Sequence, residues 1–129
     1  MKAITIRQPW ASLIKENIKR FEIRSWKTNY RGEVFIHAGS GIDKQYLSKY
    51  KDIVDIDNLP KGKIIAKASI IDCILLDEDN VNELNRDNNQ GYKINMDAIG
   101  KYAFVLSNIK SVNYDNEVKG QLGLWNIEI

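Results

Sequence analysis

Cysteine and histidine are the scarcest informative residues here: Cys73 and His37 are the only ones in 129 positions. A single cysteine forms no internal disulfide, and one cysteine with one histidine assembles no Cys/His zinc set. No metal site and no cofactor are expected. Long apolar runs are missing too. Nothing approaches the roughly 18 residues of a membrane span, and Met1-Lys2-Ala3-Ile4-Thr5-Ile6-Arg7 has no long apolar stretch of the signal-peptide kind. The expected setting is soluble, reducing and cytoplasmic, with no membrane partner. Net charge is also small, 19 Lys+Arg against 17 Asp+Glu. Taken alone, it excludes a strongly basic nucleic-acid protein and a strongly acidic tail. No internal repeat is visible.

What is present is enough apolar material for a core, 43% of residues, in a length that suits one domain spanning residues 1–129. The charge is also unevenly placed. Residues 1–67 carry 14 basic and 7 acidic side chains, whereas residues 68–129 carry 5 and 10. Near-neutrality is cancellation between two halves, and the basic half is the one expected to face a polyanion. Its densest part is residues 1–31, with 8 basic and 2 acidic side chains.

Ala3–Arg7 is a predicted strand with Ile4 and Ile6 on one face. Pro9 suits a first helical turn. Trp10, Leu13 and Ile14 follow at helical spacing, and Asn17 suits a left-handed helix end. From Lys19 to Trp26 the pattern alternates: Phe21 and Ile23 face the core, and Arg20, Glu22, Arg24 and Trp26 share the other face. Asn29-Tyr30-Arg31-Gly32 is a turn signal. Glu33–His37 is a strand closed by Ala38-Gly39-Ser40-Gly41, and Asp43–Tyr50 reads as a helix capped by Asp43. Lys63–Leu76 is a long strand whose polar residues Lys67, Ser69 and Asp72 break parity, which predicts a bulge. The acidic stretch 77–90 reads as a solvated loop with a short helix near Val81–Leu84. Tyr102–Leu106, Ile109–Val112 and the segment after Gly123 complete the strands. The class is α+β, with five or six strands closing into a small mixed β-barrel beside two or three helices.

Chemistry concentrates in residues 7–31. Arg7, Lys15, Lys19, Arg20, Arg24, Lys27 and Arg31 alternate with Trp10, Phe21, Trp26 and Tyr30. Cations hold phosphates and aromatic faces stack on bases, the pair of features that single-stranded nucleic acid requires. The same residues also suit an ordinary division into packed aromatics and solvated charges. Glu22 and Arg24 are spaced to pair, and Lys19 lies beside them. In a cleft, a lysine and a carboxylate can do acid–base work, while on a surface they form a weak ion pair. His37 is a base or phosphate donor on one reading and a structural hydrogen-bonding residue on the other. Cys73, in an Ile-rich strand, reads as a buried apolar residue.

Three blocks carry a family resemblance: Ile6-Arg7-Gln8-Pro9-Trp10-Ala11-Ser12-Leu13-Ile14, Ile18-Lys19-Arg20-Phe21-Glu22-Ile23-Arg24-Ser25-Trp26, and Tyr30-Arg31-Gly32 with Ile36-His37-Ala38. Together they resemble the ASCH domain. Gly62-Lys63-Ile64-Ile65-Ala66 and Gly123-Leu124-Trp125 fall where that family has its middle and last strands. The resemblance implies a PUA-like barrel, a cleft between its first helix and the barrel, and binding of RNA, another single-stranded nucleic acid or a modified nucleotide. It places Gln8, Pro9, Trp10 and Ser12 on the helix side of that cleft, and Lys19, Glu22, Arg24 and Trp26 on the strand side. Lys27 and Arg31 would add phosphate contacts. A similar sub-branch hydrolyses N4-acetylcytidine through a Lys-Thr-x-Thr-x-Arg block. Here Lys19 and Arg24 match, but Arg20 and Glu22 replace the threonines. Other relatives cut RNA, a chemistry that His37, Lys19 and Glu22 would serve. Three functions follow: nucleic-acid binding, a hydrolase using Lys19 and Glu22, and a module that docks a protein partner.

Overall fold

The computed structural model describes residues 1–87 and 91–129. It contains six strands and two short α-helices: β1 (Lys2–Gln8), α1 (Trp10–Lys15), β2 (Phe21–Arg24), β3 (Gly32–Ile42), β4 (Lys63–Leu75), α2 (Glu78–Asp87), β5 (Tyr102–Ser111) and β6 (Leu124–Asn126). The strands form one mixed sheet in the order β2-β5-β4-β3-β1-β6. β1 runs parallel to β3, and every other pairing is antiparallel. This is the α+β architecture expected, with one difference: the sheet curls like a barrel but does not close. β6 pairs with Lys2–Ile4 of β1, so that edge is taken. Beyond it, the backbone oxygen of Thr5 accepts a hydrogen bond from Arg24 Nη2 at 2.8 Å. A side chain bridges the seam where a strand ladder would otherwise run.

The helix α1 obeys its apolar spacing. Ala11, Leu13 and Ile14 are fully buried. Its start is capped from outside, since the Ser12 N–H donates to Gln8 Oε1 at 3.0 Å. Its end turns at Asn17, which adopts φ 63°, the left-handed conformation that asparagine tolerates. The parity break in β4 is real: the β4–β5 register shifts between Lys67 and Ser69 and again between Ile70 and Asp72.

Four local expectations change. Strand β3 continues through Ala38–Gly41 to Ile42, because Ala38 still pairs with Lys63 and Ile42 with Gln8. Residues 43–50 form two 3₁₀ turns, Lys44–Tyr46 and Ser48–Tyr50, and Asp43 makes no capping bond; its carboxylate is held by Arg7 and Trp10. The acidic stretch is mostly helix rather than loop. The Asp77 and Asn80 side chains each accept the other's backbone N–H at 2.8 Å and start α2, and Val81 is fully buried. The part of that stretch at 88–90 lies outside the described residues. Cys73 is half-buried at the core margin. Among the described residues no helix is long and apolar enough to cross a membrane.

Three apolar clusters hold these elements. The first fills the curl of the sheet, around Ile4, Ile36, Ile70 and Phe104. The second lies between the outer face of β2 and β5 and the segment from α2 to Ala98, around Phe21, Leu76, Val81 and Tyr92. The third packs Leu13 on Tyr50 and Val54. Trp10 touches all three.

Candidate functional site

Strand pairing decides where the charged block points. Glu22 stands opposite Phe104 and Phe21 opposite Val105. Directly paired residues lie on the same face. Glu22 therefore points to the inner side with Phe104, and Phe21 to the outer cluster. An inward glutamate requires partners, and it has two. Lys19 Nζ donates to Glu22 Oε1 at 2.7 Å and to the Phe21 carbonyl. Arg24 Nε donates to Glu22 Oε2 at 2.9 Å. Lys19 is 4% exposed and Glu22 7%, so this is a cation–carboxylate–cation triad with a buried Lys19–Glu22 pair and a partly exposed Arg24.

The triad forms the floor of a cleft of about 380 Å³ at the seam between β1 and β2. Trp10 and Tyr92 stand on its wall, with ring centroids 6.0 Å apart and planes at 76°. Lys19 Nζ lies 5.1 Å from the Tyr92 ring centre, a cation–π distance. Arg7 and Asp43 also line the cleft, Nε to Oδ1 at 2.8 Å, and Trp10 Nε1 donates to Asp43 Oδ2. That bond fixes the indole against a loop remote in sequence.

The charges are largely cancelled within the cleft. Burial works against an ionised Glu22, but Lys19 and Arg24 outweigh it and hold the carboxyl below its ordinary 4.5. Asp43 shows the same balance: burial opposes ionisation, while the bonds from Trp10 and Arg7 pull the carboxyl below its usual value. Burial pushes the Tyr92 phenol above its ordinary 10.0. A carboxylate with a lowered pKa is a weak proton acceptor in catalysis and a good fixed hydrogen-bond acceptor. The site thus offers two aromatic side chains, two held carboxylates and the three cations paired with them.

The ASCH domain profile matches residues 4–121. The chain belongs to the ASCH family. Activating signal cointegrator 1 from Homo sapiens and the same-named protein from Mus musculus are each 27% identical to it over an alignment of 135 positions. The alignments cover 97% of this chain and 22% of each relative, so the chain spans under a quarter of the length of these proteins. ASCH is a PUA-like family associated with RNA binding.

In this ASCH domain the cleft gathers Trp10, Lys19, Glu22 and Arg24 from the residues singled out in the sequence. The others lie elsewhere. Gln8 is fully buried; its amide caps α1 and donates to the Pro60 carbonyl at 2.8 Å. Pro9 sits at the helix cap. Ser12 lines a separate cavity near Asp55 and Pro60. Trp26 packs edge-on against Phe104 at 5.1 Å. Lys27 is exposed. Arg31 Nη1 donates to the Thr28 and Tyr30 carbonyls. His37 lies in a different cavity, bonded to Val118 and Thr5. Its Nε2 lies 2.6 Å from a carbonyl oxygen and is therefore the protonated nitrogen. Burial keeps the ring below its ordinary 6.5, against the opposing bond to Val118. The sequence reading missed Thr5, Asp43 and Tyr92 as cleft residues. Arg7 and Ile23 had signals, through the basic segment and strand alternation. Tyr92 had none, since it arrives from beyond α2.

Proposed function

We propose that this ASCH domain binds RNA by taking one unstacked base, or a modified nucleotide, into the seam cleft. The observation that supports this is the pairing of an aromatic wall, Trp10 and Tyr92, with the ion-paired floor Lys19–Glu22–Arg24. Recognition of a splayed base needs a ring to stack on and polar groups at its edge. Glu22 supplies acceptor atoms, and Arg24 and Lys19 supply donors. Ile6 and Ile23 give the cleft apolar flanks.

A hydrolase acting on an N4-acylated cytidine or on RNA phosphodiesters would use the same Lys19–Glu22 pair. The lowered pKa of Glu22 favours binding over proton abstraction. The test is a titration of the labelled protein with single-stranded RNA and with N4-acetylcytidine, followed by NMR. Shifts at Trp10, Arg24 and Tyr92, affinity falling with salt, and at least tenfold weaker binding by Arg24→Lys are expected. Saturation that leaves these resonances unmoved overturns the reading. Product in the mixture, absent from a Lys19→Ala control, replaces it with the hydrolase.

A further inference from the structure

We propose that a second cavity adjoining the cleft, rimmed by Lys49, Lys93 and Lys101, is a phosphate subsite serving the nucleotide whose base enters the cleft. The inference rests on that reading of the cleft and adds to it the place where the ligand's phosphate is held.

The two cavities are neighbours by construction. The second, about 260 Å³, shares Trp10, Ile23 and Tyr92 with the cleft as its boundary. A ligand seated against those rings has one side toward the Glu22 floor and the other toward the lysines. The lysines come from three distant segments: the 3₁₀ turn before Tyr50, the residue after Tyr92, and the residue before β5. Their convergence is a tertiary feature.

Charge separates the two cavities. In the cleft, Arg7 is paired with Asp43, and Lys19 and Arg24 with Glu22. In the second cavity three lysines face one carboxylate, Asp97. Among the described residues none of the three forms an ion pair. Lys49 Nζ lies 5.5 Å from the Tyr50 ring centre, and Lys93 Nζ donates to the Asn85 carbonyl at 2.8 Å. All three are exposed, and each ends in a compact ammonium on a flexible stem, the form suited to meeting a phosphate as a point charge. A larger cavity of about 530 Å³, beside His37 and Leu122, has Lys119 as its one lysine and offers no such excess. A free nucleoside in the cleft leaves the lysine cavity unused, whereas a nucleotide or a phosphodiester strand uses both.

The experiment is calorimetric titration at low salt with the four ribonucleosides, their 5′- and 3′-monophosphates, and oligo(U). The expected result is that monophosphates bind at least tenfold tighter than the matching nucleosides. Lys49→Ala/Lys93→Ala/Lys101→Ala should remove that advantage and leave nucleoside affinity within about twofold. The corresponding triple arginine variant should retain the advantage, and so should Lys61→Ala/Lys110→Ala/Lys119→Ala, which removes equal charge elsewhere. Oligo(U) distinguishes the phosphate sources: affinity above that of uridine monophosphates, lost in the triple alanine variant, identifies a strand, and equal affinity identifies a free nucleotide. Nucleosides and monophosphates binding alike, or an advantage surviving the triple alanine variant, overturns the subsite while leaving the cleft reading intact. Absence of binding by every ligand overturns both.

Discussion

Glu22 is the residue on which the seam depends. Among the described residues it is the one carboxylate held between two cations, at 7% exposure, and losing its charge while keeping its shape is more disruptive than losing bulk. Glu22→Gln keeps one acceptor oxygen and turns its NH2 on the other cation, so either the Lys19 ammonium, 4% exposed, or the Arg24 guanidinium loses its side-chain partner, and neither faces a carboxylate any longer. Breaking a buried pair from one side costs about 3–5 kcal/mol. Urea denaturation should show a loss of that size. Lys19→Met/Glu22→Gln should be less destabilised than Glu22→Gln, because it removes the orphaned cation as well. A loss below about 1 kcal/mol for Glu22→Gln, the range of an exposed pair, would show that the triad is solvated. This block was legible in the sequence, since strand alternation puts Glu22 and Arg24 on one face and Lys19 sits one short reach away. The same alternation put Trp26 beside them, but β2 ends at Arg24. Past the strand end the period of two no longer governs, and the indole turns onto Phe104.

At the scale of elements, the segment between β5 and β6 is a strap laid across β1 and β3. Val118 is its fastening: its N–H donates to the Gly62 carbonyl at 2.8 Å, and its carbonyl accepts from His37 Nε2 at 2.6 Å. Gly120 lets the strap lie flat. A Cβ there would stand 2.8 Å from Thr5 Oγ1 and 3.1 Å from His37 Cε1, closer than packed atoms tolerate. Gly120→Ala should lift the strap, with a stability cost of about 1–3 kcal/mol. His37 then loses burial, and its pKa should rise toward the ordinary 6.5. The single histidine makes this measurable from one imidazole resonance in a pH titration. An unmoved resonance would show that the strap does not enclose the ring. Elements of this kind divide by how far their partners lie along the chain. β1, α1, β2 and β4 were legible because their apolar spacing is local. α2 was legible only at its centre, Val81–Leu84, and not in its full length, since its surface is polar and its burial rests on Val81 meeting a distant cluster. Asp43 looked like a helix cap because its partners, Arg7 and Trp10, lie more than thirty positions away.

At the scale of the whole molecule, the groups whose pKa values are shifted favour the form they hold at neutral pH. Glu22, Asp43 and His37 each have a lowered pKa. For each, the unfolded chain binds protons more readily than the folded one, so the contribution is complete above the ordinary value and is lost as pH falls through the lower folded value. Tyr50 and Tyr92 have raised pKa values from the ordinary 10.0. Their contribution is complete below that value and is lost as pH climbs through the higher folded one. Stability should therefore show a plateau. Its acid side begins to fall below 6.5 as the His37 difference is lost, and falls further below 4.5 as that of Glu22 follows. Its alkaline side falls above 10.0. The Glu22 share is separable. Gln does not titrate, so the gap in unfolding free energy between wild type and Glu22→Gln should be widest at neutral pH and shrink steadily toward about pH 3. A gap independent of pH would mean that Glu22 contributes through shape, and that the ion-paired floor of the cleft does not exist in solution.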